Sequence, residues 1–198
     1  MASRLAVYCG SNSGVDERFA ADARALGTAM VQRGIGLVYG GGRVGLMGVI
    51  ADAVLAAGGD VTGVITSHLV GAEIAHTGVG ELHVVETMHE RKALMTDLAD
   101  GLVALPGGFG TLDEVLEMLT WNQLGLVAKP VVFLDTGGFY GELFAFFDHA
   151  VAAGFVRDIH RDLARQALTP AEAIDLATAP PPPTPHKWID RDTLTERG

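Results

Sequence analysis

Apolar runs with no polar residue alternating through them recur along this chain: Leu5-Ala6-Val7-Tyr8, Leu102-Val103-Ala104-Leu105 and Val131-Val132-Phe133-Leu134. A strand with one wet face alternates apolar and polar residues, so a continuous run marks a strand covered on both faces. A parallel sheet with helices on each side meets that requirement, and helix-period segments between the runs supply the covering layers. Strands are predicted over 5–8, 36–39, 61–65, 82–85, 102–105, 130–134 and 164–168. Helices are predicted over 16–33, 46–57, 88–99, 111–124, 140–153 and 170–177, the last opening on Pro170, which suits a first helical turn. A long loop is expected around 67–80. The fold class is therefore α/β, a Rossmann-like doubly wound, mostly parallel sheet with helices on both faces. Residues 1–178 read as one α/β domain and 179–198 as a Pro-rich tail. Pro180 to Pro183 and Pro185 suit an extended polyproline arm, read as a plain exposed tail with a docking motif as the alternative.

Composition narrows the function classes. Lys plus Arg minus Asp plus Glu is 14 − 24 = −10, a balance that repels nucleic acid and anionic membrane surfaces. An anionic ligand must then be captured by a local site against the overall field. The one cysteine, Cys9, allows no internal disulfide and suits a reducing compartment. No apolar run approaches the ~18 residues of a membrane helix. The N-terminus leads straight into a strand without a signal-peptide pattern, so a cytoplasmic protein is expected.

In such folds ligands bind at the carboxyl ends of the strands. Three glycine-rich segments follow predicted strands there: Cys9-Gly10-Ser11-Asn12-Ser13-Gly14, Gly40-Gly41-Gly42-Arg43-Val44-Gly45-Leu46-Met47-Gly48, and Pro106-Gly107-Gly108-Phe109-Gly110-Thr111. Glycine lets backbone amides come close to a phosphate, and a following helix N-terminus adds partial positive charge. Ser11, Gly41 and Gly42 are candidate phosphate contacts. Gly40-x-Gly42-x-x-Gly45 formally matches a dinucleotide fingerprint, but it follows the second strand. The next strand ends in Ile65-Thr66-Ser67-His68, with no acid for a ribose hydroxyl, which counts against a nicotinamide-dependent oxidoreductase. The GK[ST] ending of a P-loop is missing too, which disfavours an ATPase or kinase.

Pro106-Gly107-Gly108-x-Gly110-Thr111-x-x-Glu114, preceded by Met88-His89-Glu90-Arg91-Lys92, resembles the LOG ("lonely guy") family of cytokinin riboside 5′-monophosphate phosphoribohydrolases, long labelled lysine decarboxylases. The resemblance runs from about residue 5 to about residue 155 and includes the Gly40–Gly48 loop. It implies hydrolysis of the N-glycosidic bond of a purine nucleoside 5′-monophosphate, with no cofactor and no metal. By the same resemblance Arg91 and Glu114 are the catalytic pair. Glu73, Arg91, Lys92, Gly108, Phe109, Gly110, Thr111, Leu112, Asp113, Glu114 and Thr120 line the substrate site. The residue types make sense independently, because a fixed carboxylate stabilises the positive charge that develops on the sugar or activates water. An arginine beside it keeps it ionised and can hold substrate hydroxyls.

Plainer readings compete with these. Thr111-Leu112-Asp113-Glu114 is also a capping box, in which Glu114 would only satisfy an amide at its own helix start. A capping box requires none of Gly107, Gly108 and Gly110, so the whole motif favours chemistry. Arg91 and Lys92 fall in the first predicted turn, where cations oppose the helix dipole, so an anion is expected opposite them. Glu73 and Thr120 could be surface residues, and Met88, Met95 and Met118 read as core fillers. The seven histidines show no metal-ligand spacing. Of the three lysines, Lys92, Lys129 and Lys187, none has a Schiff-base context, so a decarboxylase finds no support. A non-catalytic nucleotide carrier or sensor remains the alternative, its expected mark being loss of the Arg91–Glu114 pair. Finally, a homodimer with the site near the subunit boundary is implied by resemblance. It is also suggested by Leu94, Met95, Leu98, Leu112, Val115, Leu116, Met118, Leu119 and Trp121, which spread over more than one helix face. Coverage of that surface by the 140–153 helix or the tail is the alternative.

Overall fold

In the computed structural model, which describes residues 3–70, 75–76 and 78–181, seven strands form one sheet and every pairing between neighbours is parallel. In chain order the strands are β1 (Arg4–Tyr8), β2 (Gly36–Tyr39), β3 (Val61–Thr66), β4 (Glu81–Val85), β5 (Gly101–Ala104), β6 (Val131–Leu134) and β7 (Ala164–Ala167). Their spatial order is β4-β3-β2-β1-β5-β6-β7, so the chain starts at the centre, builds outward to one edge, then returns to build the other. The direction reverses between β1 and β5, and the loops leaving these two strands part to opposite faces. That divergence opens a crevice, the usual ligand position in open parallel sheets.

Helices α1 (Glu17–Gln32) and α2 (Gly45–Ala56) cover one face together with α8 (Pro170–Thr178), burying Leu26, Met30, Ile50, Val54 and Ile174 against Leu5, Val7 and Val103. Helices α4 (Met88–Leu98), α5 (Phe109–Gln123) and α6 (Gly141–Ala152) cover the other, packing Met95, Val115, Met118 and Phe144 on Ala6, Tyr8 and Phe133. β1, β2, β5 and β6 are buried at nearly every position, which is why they read as unbroken apolar runs. The edge strand β4 is half open, and Val84 is exposed.

Three local expectations change. The stretch predicted as loop from 67 begins with a one-turn helix, α3 (Ser67–Val70). A second short helix, α7 (Asp158–Arg161), lies between α6 and β7. Helix α5 begins at Phe109, two residues earlier than the sequence predicts, with Gly108 as its N-cap and no side chain capping it. Ala179, the C-cap of α8, has φ −70° and ψ 155°, the polyproline region, and the expected arm beyond Pro181 lies outside the described residues.

Candidate active site

A cavity of about 370 Å³ opens at the carboxyl ends of the central strands. Its walls are the segment Cys9–Gly14 after β1, Gly40 with Leu46 and Met47 after β2, and Pro106–Thr111 after β5. The loops brace one another. The Gly10 N–H donates to the Pro106 carbonyl at 3.1 Å, and the Gly10 carbonyl accepts from the Leu46 N–H at 3.0 Å. Glycine is required where the packing is closest: a Cβ on Gly107 would lie 2.1 Å from Thr111 Oγ1, and one on Gly40 2.1 Å from Arg91 Nη2. At Gly108 and Gly110 a Cβ would meet nothing within 4 Å, so no contact within the described chain demands glycine there. Because Gly108 caps α5 without a side chain, the first amides of that helix meet the cavity with no side-chain acceptor over them.

Glu114 lies in the second turn of α5, 8% exposed, and lines the cavity. The guanidinium of Arg91, 6% exposed, donates from Nη1 to Glu114 Oε1 at 3.0 Å. Its Nε donates to the Val64 carbonyl at 3.0 Å and its Nη2 to the Gly40 carbonyl at 3.2 Å. The cation is thus stapled across the ends of β2 and β3, and Nη1 also meets Met88 Sδ at 3.3 Å. Most of its five N–H donors are spent inside the protein. A fixed positive charge at this range favours the ionised form of the carboxyl. Tyr8, also on the cavity wall, is pushed far above the ordinary phenol range by burial and then by the Glu114 carboxylate, with Arg91 pulling the other way. Its hydroxyl therefore stays protonated.

The capping-box alternative for Glu114 fails, because α5 starts before Thr111 and its cap is Gly108. A capping box does exist one helix earlier, where the sequence analysis placed none. Thr87 Oγ1 accepts from the Glu90 N–H at 3.1 Å, and Glu90 Oε2 accepts from the Thr87 N–H at 3.0 Å. Arg91 and Lys92 follow as the fourth and fifth residues of α4, so they sit beyond its first turn and are held by burial and partners rather than by a dipole conflict.

The remaining candidates divide. Ser11, Gly108, Phe109, Gly110 and Thr111 line the cavity with the pair. Lys92 does not: its Nζ lies 3.0 Å from Asp113 Oδ2 and 2.6 Å from Glu117 Oε2. Leu112 and Asp113 are also absent from the lining. The Thr120 hydroxyl donates to the Leu116 carbonyl of its own helix at 2.9 Å, away from the cavity. Gly41 and Gly42 are used by the fold instead. The Gly41 carbonyl accepts from the His76 N–H at 3.1 Å, and Gly42 bridges to Ala75. Glu73 lies outside the described residues. Met95 and Met118 are core fillers, whereas Met88 is 40% exposed. Phe19 and Phe139, an edge-on aromatic pair with centroids 5.6 Å apart, line the cavity but carry no local motif. Only the topology, which sets the end of β6 beside the start of α1, could have revealed them.

Among known proteins, the family profile described as "Possible lysine decarboxylase" matches residues 47–177. A probable cytokinin riboside 5′-monophosphate phosphoribohydrolase of Oryza sativa subsp. japonica is 48% identical over 171 residues, covering 86% of this chain and 77% of that protein. The Arabidopsis thaliana cytokinin riboside 5′-monophosphate phosphoribohydrolase LOG1 is 45% identical, covering 86% and 80%. Among solved structures, the molybdenum cofactor carrier protein of Chlamydomonas reinhardtii superposes with a TM-score of 0.68 at 25% identity, covering 88% of this chain and 95% of that one.

Proposed function

This chain belongs to the LOG family of cytokinin riboside 5′-monophosphate phosphoribohydrolases, and from that membership and its own cavity we propose how it acts as a hydrolase. The substrate is a purine nucleoside 5′-monophosphate, AMP or an N6-substituted adenosine monophosphate, and the products are free base and ribose 5-phosphate. The observation that carries the reading is the buried Arg91–Glu114 pair on the wall of a glycine-lined cavity.

The 5′-phosphate sits on the uncapped start of α5, where Phe109, Gly110 and Thr111 present backbone amides and the helix adds partial positive charge. The open space at Gly108 and Gly110 supports this, since no contact among the described residues gives a reason for glycine there. With the phosphate so placed, Glu114 lies a turn further along the same helix, beside the ribose. As the bond between C1′ and the base nitrogen breaks, the electron pair leaves with the base and positive charge grows on the sugar. The Glu114 carboxylate stabilises that charge and orients the water whose oxygen adds to C1′. One proton of that water stays on the new C1′ hydroxyl, the other is released, and a proton ends on the base nitrogen that took the electron pair. Arg91 supplies the fixed positive charge that keeps Glu114 ionised. No metal or cofactor enters this scheme. The lysine-based alternative lacks a candidate among the described residues. Lys92 is paired with two carboxylates, and Lys129 Nζ donates to the Thr96 and Ala99 carbonyls at the end of α4.

The open apolar residues of α4 and α5, Phe109, Met88 and Leu116 among them, support a homodimer as the working form. The single buried cysteine, Cys9, suits a cytoplasmic setting. A second reading, a non-catalytic carrier, draws on the likeness to the molybdenum cofactor carrier protein, but this chain keeps the Arg91–Glu114 pair. One experiment separates them. Incubated with AMP and with its N6-isopentenyl analogue, without added metal, the protein should release free base and ribose 5-phosphate from at least one. Binding without release from either would favour the carrier, and equal activity on unphosphorylated nucleosides would overturn the phosphate requirement.

A further inference from the structure

Immediately beside the Arg91–Glu114 pair lies a second ionic cluster that the reaction scheme does not use. Lys92 comes from α4 and is 9% exposed, yet it does not line the cavity. Its ammonium group is bound by Asp113 at 3.0 Å and Glu117 at 2.6 Å, both on α5. These two acids bracket Glu114 in sequence, one residue before it and three after. Two consecutive residues of α4 therefore grip one short stretch of α5, Arg91 on the cavity side and Lys92 behind it. Burial by itself works against a charged lysine, but Glu117 and Asp113 together hold the Lys92 pKa above its ordinary value, so the ammonium stays charged.

We propose that Lys92 is a positioning residue rather than a substrate ligand: it locks α4 to α5 through Asp113 and Glu117 and neutralises their charge behind Glu114. The inference rests on the hydrolase reading and deepens it. Among the described residues, the charged and titratable groups around Glu114 include Arg91 and Lys92 from α4, Asp113 and Glu117 from α5, Tyr8 from β1, and Cys9 on the cavity wall just after it. Their formal charges set the balance. With Lys92 present, one cation faces the two flanking acids. Without it, both acids act on Glu114 unopposed and favour its protonated form. Placement suffers as well, since small displacements of a reacting group are costly in rate.

The test is the kinetics and pH profile of three variants. Lys92→Met should lower kcat about tenfold or more while changing KM little, because the group it disturbs acts on the reacting centre. The acid limb of its kcat/KM profile should move up by about one pH unit. Lys92→Arg, which keeps the charge and can span both carboxylates, should recover most of kcat. The double variant Asp113→Asn/Glu117→Gln should also lose kcat, but its acid limb should move down, since the ammonium is now unopposed. Opposite shifts from the two ends of one contact are not the mark of general destabilisation. A raised KM with unchanged kcat in Lys92→Met would make Lys92 a substrate contact and overturn the proposal. So would full kcat in the double variant. Titration of the Glu114 carboxyl by carbon NMR reads the same pair of shifts without turnover. A wild-type protein that cleaves nothing would therefore sink the hydrolase reading while the NMR shifts still judge Lys92; absent or same-direction shifts there would overturn it.

Discussion

Arg91 and Glu114 stand 23 positions apart in the chain and meet at 3.0 Å because one rides on α4 and the other on α5. Their value lies in asymmetry. Arg91 is tied down by two backbone carbonyls, whereas Glu114 faces the cavity. Glu114→Gln keeps the size of the side chain and an oxygen for Arg91 but removes the charge. Turnover should fall by about 100-fold or more, the usual consequence of losing a preorganised charged group at the reacting centre. The cap of α5 is Gly108, so helix initiation should be untouched and the circular dichroism spectrum should match that of the wild type. Near-normal turnover in this variant would remove Glu114 from the chemistry. At this scale the sequence was informative about identity and poor about contact. The glycine–glutamate motif pointed to Glu114, and the adjacent Arg91-Lys92 pair looked like one functional unit. The fold splits that unit, turning Arg91 to the cavity and Lys92 to the acids behind it, a distinction that depends on side-chain direction between two packed helices.

The elements were legible because this sheet is buried on both faces, and unbroken apolar runs are then a strong signal for each central strand. Helix starts were harder. Thr111 and Glu114 have the spacing of a capping box, yet the chain becomes helical at Phe109, with Gly108 as the N-cap and no side-chain cap. The box that is used, Thr87 with Glu90, sits in a less conspicuous sequence ahead of a polar first turn. It orients the start of α4 and hence Arg91. Thr87→Ala should lower the melting temperature by about 2–4 °C, as expected for losing one cap in a chain of this size. The effect has a pH signature. Glu90 is held below the ordinary carboxyl range, first by the Thr87 amide and then by the Glu86 amide. Its contribution is present above the unfolded-state pKa of a glutamate and is lost as pH falls through the lower folded-state value. Lowering the pH into that acid range should therefore weaken the cap from the Glu90 side, and the wild type should lose stability there more steeply than Glu90→Gln. Parallel acid melting curves for the two proteins would show that Glu90 does not titrate as a cap.

At the scale of the whole molecule, two asymmetries bear on assembly. The face carrying α1, α2 and α8 is closed by helix–helix packing, with Leu26, Met30, Ile50, Val54 and Ile174 all fully buried. The opposite face is not finished in the same way. Leu94, Leu98, Leu112, Leu119 and Trp121 are only partly buried, while Met88, Leu116 and Leu124 are 40%, 36% and 41% exposed. Among the described residues the alternative cover is weak, since α6 buries one residue, Phe144, and leaves Phe146 61% exposed; the tail, the other alternative, lies outside the described residues beyond Pro181. Open apolar residues of this kind on the helices that wall a ligand cavity are what a partner would cover. Closed two-fold pairing is the commonest way for a chain to cover such a face with its own copy. Phe109, at the mouth of the cavity and 94% exposed, would then be sheltered near the same boundary, so assembly and substrate access would be coupled. Light scattering should return about twice the 20.7 kDa of the chain. Leu116→Arg places a charge in the middle of the open face and should shift the mass toward one chain, with catalysis falling in step if the boundary shelters the cavity. A wild-type mass equal to one chain at micromolar concentration would mean that these residues simply face water, and that the cavity works without a partner.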